Sequence, residues 1–252
     1  MVYGLWQSAA GLQAQQYRQA VITNNLANTD TPGFKPDRVA FIDRLSAARN
    51  GGPMSASHPT LDPLTGGIFS LPVYTDFRPG SFDPTQNPLD VAIAGDGFLT
   101  VRTPDGVRYT RDGRMIANAD GALIHVGSGG AVLDADGTPL VLDPNSTEKV
   151  LIDTEGRIKQ GQTEVGRLAL VDFENKADLK KDGGNLFAAN GARPVAANAE
   201  IRQGYVEMSG AEATTTLVDM IAATRAYEIN AAVLSMQDDT LGRLVNEVGR
   251  LG

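Results

Sequence analysis

The chain has 252 residues, of which 42% are hydrophobic, and carries 22 basic against 30 acidic side chains, a formal net charge of −8. This size and composition allow one substantial hydrophobic core and exclude a chain that is disordered throughout. Nucleic acid and anionic membrane surfaces are not expected as partners, because binding to phosphate requires clustered lysine and arginine. Cysteine is absent, which excludes disulfides and thiolate metal sites.

The N-terminal sequence predicts neither a cleaved signal peptide nor a membrane span. It lacks a basic region followed by a continuous apolar stretch, and no run of about 18 apolar residues occurs in the chain. We therefore expect no membrane insertion.

Two segments have the apolar spacing of an amphipathic helix, residues 1–28 and 211–252. In the first, apolar residues recur at steps of three and four and form one thin face. The turn residues around Pro32 and Gly33 end this helix, because a residue before proline is pushed out of the α region. An N-terminal helical part over residues 1–33 and a C-terminal one over 208–252 are expected to pair in a coiled-coil-like manner.

The C-terminal helix has an apolar stripe that is too long for the short N-terminal helix to cover. Two interpretations follow: the helix pair packs on its own domain, or identical neighbours complete the burial. The expected interface residues on the two helices are Leu5, Leu12, Ile22, Leu26, Val218, Ala222, Ile229, Val233, Met236 and Leu244.

The middle of the chain predicts a β structure. Residues 34–84 are rich in proline and glycine and indicate an extended connection with a few strands, such as 68–73. Residues 85–207 alternate short apolar runs with Asp-Gly or Glu-Gly turns, which favours an antiparallel meander or barrel. The predicted class is α+β, with terminal helices flanking a mainly antiparallel β domain, and a doubly wound nucleotide-binding fold is excluded.

No catalytic, cofactor or metal site is predicted. A nucleophile triad would need His58 or His125, the only histidines, and these lie in a proline-rich connection and in an apolar strand run. The glycines of 127–130 are not followed by the sequence of a phosphate-binding loop, and 95–97 is too short for a dinucleotide fingerprint.

Acidic residues in the β region are interpreted as turn residues. Asp134 and Asp136 resemble the start of a calcium loop, but the later ligands are missing, so a hairpin turn is favoured. Three further carboxylates that could form a glycosidase pair each sit beside turn residues, where aspartate accepts backbone hydrogen bonds. They are Asp90, Asp96 and Asp112.

Five sequence blocks, in order along the chain, resemble the motifs of the bacterial flagellar rod and hook protein family. The N-terminal signature comprises Asn24, Asn25, Leu26, Asn28, Pro32, Gly33, Phe34 and Lys35. The other blocks are Asn-Pro-Leu-Asp-Val-Ala-Ile with Gly-Asp-Gly-Phe over 87–98, Tyr-Thr-Arg-Asp-Gly over 109–113, Gly-Tyr-Val-Glu over 204–207, and Arg-Ala-Tyr-Glu-Ile-Asn over 225–230.

The resemblance implies a structural, non-enzymatic subunit of the flagellar basal body that contributes to motility. It implies helical self-assembly through terminal helices in an inner tube, torque transmission, and other rod subunits as partners. It further implies export by the flagellar type III apparatus without a cleaved signal peptide, into the periplasm-spanning rod. Because a helical tube is the open product of a heterologous interface, the resemblance favours burial of the stripe by neighbours.

Within the family, the length and the lack of a large central insertion favour a rod protein over a hook protein. Residues 41–45 favour the proximal-rod type, which we expect, whereas 225–230 are more similar to the distal-rod type. The ends of a monomer are expected to be largely disordered, because ordering about 70 residues costs roughly 1–2 kcal/mol each.

Two other classes compete with this interpretation. One is a secreted glycan-binding or glycan-cleaving β domain with helical dimerisation arms, which would need exposed aromatics and paired carboxylates. The other is a periplasmic scaffold that dimerises through a closed coiled coil, which is distinguished by association that stops at two chains.

Overall fold

The computed structural model describes residues 2–43, 68–70 and 72–248. Within them the N-terminal helix α1 runs over Val2–Ala27 and the C-terminal helix α2 over Ala213–Val248, with short strands between. Every strand pair whose register is defined is antiparallel. The predicted α+β class is therefore confirmed.

The described residues contain twenty short strands. They are β1 (Asp37–Arg38), β2 (Phe41–Asp43), β3 (Ile68–Ser70), β4 (Tyr74–Thr75), β5 (Phe82–Pro84), β6 (Val91–Gly95), β7 (Phe98–Thr103), β8 (Gly106–Thr110), β9 (Met115–Ala117), β10 (Leu123–His125), β11 (Ala131–Val132), β12 (Val150–Ile152), β13 (Arg157–Gln160), β14 (Thr163–Arg167), β15 (Leu170–Phe173), β16 (Leu179–Lys181), β17 (Leu186–Ala189), β18 (Pro194–Ala196), β19 (Ala199–Gln203) and β20 (Tyr205–Glu207). A 3-10 turn, Lys176–Asp178, precedes β16.

The chain divides into two compact units. The helical unit comprises the described residues within 1–27, 37–74 and 212–252, and the β unit comprises 28–36 and 75–211. The proline- and glycine-rich connection expected over 34–84 is thus shared between the units. Residues 28–36, which directly follow α1, group with the β unit through contacts given below.

The β unit is built on a nine-stranded sheet. Its main path has the order β16-β17-β8-β7-β11-β10-β9, and β15 joins β7 to β18. Strands β12, β13 and β14 form a second sheet, while β6 pairs with β19 and β5 with β20. Alternation of apolar and polar residues along these strands places one set of side chains in a shared core.

Two clusters of buried side chains form that core. The larger is aliphatic and includes Ile93, Leu123 and Ile158, which are fully buried. The smaller is aromatic and groups Phe98, Phe173, Phe187 and the neighbouring Phe77, with most ring pairs edge to face. Edge-to-face packing suits the charge distribution of aromatic rings and adds to the stabilisation from burial.

Asp-Gly turns connect the strands as the sequence predicts. Between β9 and β10, Gly121 has a φ of 81°, in the region that favours glycine. A Cβ there would lie 2.0 Å from the Leu142 carbonyl oxygen, so the close approach of backbone also requires glycine.

The two helices of the helical unit pack against each other in antiparallel orientation. Three pairs of contacting residues run in opposite directions along the two helices: Gly4 with Gln237, Gly11 with Asn230, and Gln19 with Thr224. In the same unit, β1 pairs with β4 and β2 with β3. No helix of the described residues is long and apolar enough to cross a membrane.

Candidate assembly interface

Among the described residues, most of the apolar stripe of α2 is exposed. Its most exposed members include Ile229, at 65% of full exposure, and Met236, at 60%. Of the six α2 residues that the sequence singles out, four are exposed and two are half-buried: Val218, Ala222, Ile229 and Met236, against Val233 and Leu244. Further exposed apolar residues on α2 are Leu217, Ile221 and Val245.

A different face of α2 packs in the helical unit. Its residues recur at alternating steps of four and three and are all buried or half-buried: Thr216, Met220, Ala223, Tyr227, Asn230, Leu234, Gln237 and Leu241. The exposed residues Val218, Ala222, Ile229 and Met236 each follow a residue of this seam by two positions, and because each helical residue turns by about 100°, they lie on a different face of α2. Leu244, three residues after Leu241, continues the packed seam and is not part of the exposed stripe. The two helices thus pack through a partly polar seam, and the more apolar stripe of α2 stays exposed.

Polar groups join α1 to α2 across the seam. Gln19 Nε2 donates to Thr224 Oγ1 at 2.9 Å, and Ser8 Oγ donates to Gln237 Oε1 at 3.4 Å. On α1, Gly4 lies against the Gln237 amide. The absence of a side chain at Gly4 permits this close approach.

The four expected interface residues of α1 are less available than those of α2. Ile22 is only 8% exposed, and Leu5, Leu12 and Leu26 are half-buried. The large exposed side chains of α1 are instead Trp6, at 72%, and Tyr17, which the sequence prediction did not include. Their omission has a simple cause, since neither falls on the thin apolar face that defined the prediction.

The asparagine part of the N-terminal signature ends α1. Asn25 brackets the backbone of Asp37: its Nδ2 donates to the Asp37 carbonyl at 2.7 Å and its Oδ1 accepts from the Asp37 amide at 3.0 Å. Asn28 Oδ1 accepts from Thr31 Oγ1 at 3.1 Å, which stabilises the turn after the helix. Asn24 is exposed.

The second part of the signature is held in the β unit. The Gly33 amide donates to the Glu207 carbonyl at 2.7 Å, and Asn185 Nδ2 donates to the Pro32 carbonyl at 2.6 Å. Lys181 Nζ lies 4.4 Å from the centre of the Phe34 ring. These contacts explain why residues 28–36 group with the β unit.

Gly33 is required at its position for two reasons. Its φ of 69° favours glycine. A Cβ would also lie 2.5 Å from the Arg111 carbonyl carbon and from the Asp112 nitrogen, both of which belong to the backbone. The Thr-Pro-Gly-Phe-Lys and Tyr-Thr-Arg-Asp-Gly blocks therefore meet at this glycine.

A buried ion cluster of Lys35, Arg111 and Glu207 unites three of the sequence blocks. Lys35 Nζ donates to Glu207 Oε1 at 2.6 Å and Arg111 Nη1 to Glu207 Oε2 at 3.3 Å, and all three side chains are at most 2% exposed. The Gly80 amide also donates to Glu207 Oε1, at 2.9 Å. Burial lowers the pKa of Lys35 from its ordinary value of 10.5, and the charge of Glu207 opposes this shift.

Backbone carbonyls accept further hydrogen bonds from the buried ion cluster, although Arg111 Nε is buried without a hydrogen-bond partner among the described residues. Lys35 Nζ donates to the Arg78 carbonyl at 2.8 Å. Arg111 donates to the carbonyls of Ile93, at 3.2 Å, and Gly95, at 2.7 Å. Each of the three blocks is recognisable in the sequence, but their contact in the fold is not. The available signal was one acidic and two basic residues, each inside a different motif.

His125 is a core residue and not an accessible base. It is 1% exposed, and its Nδ1 lies 2.8 Å from Ser128 Oγ while Nε2 lies 3.5 Å from Asp112 Oδ2. Arg114 donates to both oxygens of Asp112. Burial raises the pKa of Asp112, but the contacts with His125 and Arg114 outweigh it and hold that pKa below the ordinary 3.8. His58 lies outside the described residues.

The other acidic residues considered for chemistry have structural contacts. Asp90 Oδ1 accepts from Asn87 Nδ2 at 2.9 Å, and Asp96 forms an ion pair with Lys176. Asp134 Oδ1 accepts from the amides of Asp136 and Thr138, which confirms the predicted turn. Among the described residues, no group of three or more histidine or acidic side chains is placed to hold a metal ion.

Three family models match the chain, in the order in which the sequence blocks occur. Residues 8–35 match the flagella basal body rod protein family. Residues 92–160 match the D1 domain of the flagellar hook protein FlgE/F/G family. Residues 202–247 match the C-terminal region of the flagellar basal body rod FlgEFG proteins. The first and last matches contain Lys35 and Glu207, respectively.

Relatives of two rod types cover almost the whole chain. The flagellar basal-body rod protein FlgG of Buchnera aphidicola subsp. Acyrthosiphon pisum is 36% identical over 97% of this chain and 99% of the relative. FlgG of Caulobacter vibrioides is 33% identical over 93% of this chain and 95% of the relative, and FlgF of the same organism is 33% identical over 92% and 91%. The expectation of a proximal-rod type over a distal-rod type therefore stays a prediction. With relatives above 30% identity that span more than nine-tenths of its length, the chain belongs to the flagellar basal-body rod protein family.

Proposed function

We propose that the chain is a structural subunit of the flagellar basal-body rod, which assembles helically with copies of itself and with other rod subunits and transmits torque during swimming. The observation that carries this proposal is the uncovered apolar stripe of α2. Its exposed residues would bury apolar surface in an assembly, and burial of such surface is the main favourable contribution to association.

The geometry of α2 supports an open assembly. Because one seam of α2 is packed against α1, its exposed stripe is free to contact a different surface of a neighbouring subunit. Contacts between different faces are heterologous, and such contacts extend into helical filaments when the rotation between subunits does not close a ring. The heptad-like spacing of both seams is typical of coiled-coil-like helix packing, which we propose for the assembled state.

We further propose that the subunit reaches the periplasm-spanning rod through the flagellar type III export apparatus. The helical unit suits such a route, because helices with few buried residues lose little stability when they unfold. The role is structural and not catalytic. The carboxylates considered for glycan chemistry are engaged in turns and ion pairs, so that alternative has no specific support.

The proposal is tested by replacing the chromosomal gene with variants and measuring swimming and the presence of the subunit in purified basal bodies. Ile229→Asp places a charge in the stripe, and we expect loss of the subunit from basal bodies and loss of swimming, since an unpaired charge is costly in a dry interface. Ser235→Asp is the matched control, because it adds the same charge at an exposed polar position of α2.

Two outcomes contradict the proposal. If the Ile229→Asp strain swims and incorporates the subunit at wild-type levels, the stripe is not part of the assembly interface. If cells from which the gene is deleted still swim, the chain has no essential structural role in the rod.

A further inference from the structure

Residues 28–36 lie beside α1 in sequence but belong to the β unit in structure. Hydrogen bonds to several parts of the β unit hold their backbone in place. Gly33 donates to the Glu207 carbonyl, and the Phe34 carbonyl accepts from the Gly210 amide at 2.9 Å. The Lys35 carbonyl accepts from Lys181 Nζ at 2.6 Å. The segment therefore fills a place inside the β unit.

Without Lys35, the β unit would contain a buried carboxylate short of one of its two cationic partners. Lys35 Nζ is the closest cation to Glu207, at 2.6 Å, whereas Arg111 Nη1 lies at 3.3 Å and also donates to Ile93. Removing one member of a buried ion pair is strongly destabilising, because it leaves a charge in a site of low polarity. This loss of stability affects the whole core that surrounds Glu207.

The members of the buried ion cluster are far apart in sequence. Lys35 and Glu207 are separated by 172 residues, and Arg111 and Glu207 by 96. Contacts of this separation form only after the entropy cost of closing a long loop has been met. The last residue needed, Glu207, ends β20, six residues before the start of α2 at Ala213.

We infer that the buried ion cluster makes folding of the β unit depend on the presence of the whole segment from residue 28 to about residue 210. The nine residues 28–36 are an obligatory part of the unit, and neither the predicted β domain 85–207 nor any shorter piece reaches its stability. A chain of which either end is still held elsewhere then has a β unit of lower stability.

This dependence has a consequence that rests on the proposed function. A subunit that passes through a narrow export channel must stay unfolded until the passage is complete. Whichever end leaves first, the β unit gains its full stability only when Lys35 and Glu207 are both free to meet. The cluster thus delays folding until export of this segment is finished.

The inference is tested by hydrogen exchange on the purified full-length chain. In the wild type we expect the Gly33 amide and the amides of β6, β7 and β19 to exchange through the same opening, with equal protection. Lys35→Met removes the charge and keeps most of the side chain, and it should lower protection at all of these sites by the same factor, roughly 100-fold or more. Lys180→Met, at an exposed lysine, should leave protection unchanged.

A milder variant keeps the test informative if Lys35→Met does not fold. Asn185 has a φ of 61°, which glycine also adopts, so Asn185→Gly removes the hydrogen bond to the Pro32 carbonyl without straining the backbone. It should lower protection uniformly by about tenfold. Loss of protection at Gly33 alone, with β6 and β7 as protected as in the wild type, would overturn the inference with either variant.

The test is independent of the rod. Uniform loss of protection together with normal swimming of the Ile229→Asp strain would support the cluster and contradict the proposed function. Loss of protection at Gly33 alone, together with failure of Ile229→Asp to assemble, would contradict the inference about the cluster and support the proposed function.

Discussion

The two units of the molecule treat apolar and polar side chains in opposite ways. In the β unit, aliphatic and aromatic residues are buried, and even the charged residues Lys35, Arg111 and Glu207 are enclosed with partners. In the helical unit, the packed seam contains glutamine, asparagine and threonine, while isoleucine and methionine of α2 are exposed. The difference in burial supports the proposal that the helical unit, unlike the β unit, makes further contacts with neighbouring subunits.

The largest difference between the two units is expected in limited proteolysis of the monomer. Both helical ends should be removed while the β unit survives, because cleavage requires local opening and the helices bury few residues. From the sequence, the N-terminal helical part was expected to extend over residues 1–33. With 28–36 held in the β unit, we now expect cleavage to stop before residue 28 and to leave a fragment that extends to about Gly210.

Mass spectrometry of the surviving fragment gives its ends directly. Protection of both helices in a dilute monomer would contradict the contrast between the units. A fragment that begins after Lys35 and still unfolds cooperatively would contradict the place of 28–36 in the β unit.

The same substitution in each unit should have different effects on stability. Ile93 is fully buried in β6 and Ile229 is 65% exposed on α2. Ile93→Ala should lower the free energy of unfolding by about 2–5 kcal/mol, because it removes buried methyl groups and leaves a cavity. Ile229→Ala should change it by no more than about 0.5 kcal/mol. Urea unfolding followed by circular dichroism measures both changes. Equal losses of stability would contradict the difference in burial between the two units.

A smaller loss of stability is expected from His125→Ala. The side chain is buried beside Asp112 and Ser128, so its removal leaves a cavity and weakens the environment of a buried carboxylate, for about 1–3 kcal/mol. The chain should still assemble and support swimming if enough stability remains. His58→Ala is expected to change neither stability nor swimming. A hydrolase activity that His125→Ala abolishes would contradict the structural role.

The smallest effect is a pH dependence confined to Asp112. Because the pKa of Asp112 is lower in the folded chain than its ordinary 3.8, its ionised form stabilises the fold fully above about pH 4, and this contribution is lost as the pH falls through the folded-state pKa. The stability gap between wild type and Asp112→Asn should therefore be constant from about pH 7 to 5 and shrink below pH 4. Thermal unfolding of both proteins across this range checks it, and a gap that widens in acid would have the wrong sign.

Much of the fold was accessible from sequence because its signals are local. The spacing of apolar residues gave both helices, and the Asp-Gly pairs gave hairpin turns such as the one at Gly121. The buried ion cluster was not accessible, since no local pattern tells that Lys35 and Glu207 meet across 172 residues. The stripe of α2 was identified by its period, but the period could not tell which face α1 covers, because the packed seam is partly polar.

The most direct test of the central claim is thermal unfolding of the purified monomer carrying Ile229→Asp or Val233→Asp, with swimming measured for the same variants. If the stripe is reserved for neighbouring subunits, Ile229→Asp should melt within about 1–2 °C of the wild type, as Ser235→Asp should, and still abolish swimming. Val233, which is half-buried, should show a somewhat larger shift. A drop of several degrees with Ile229→Asp, the size expected when a kilocalorie or more is lost, would mean that the stripe packs within the chain.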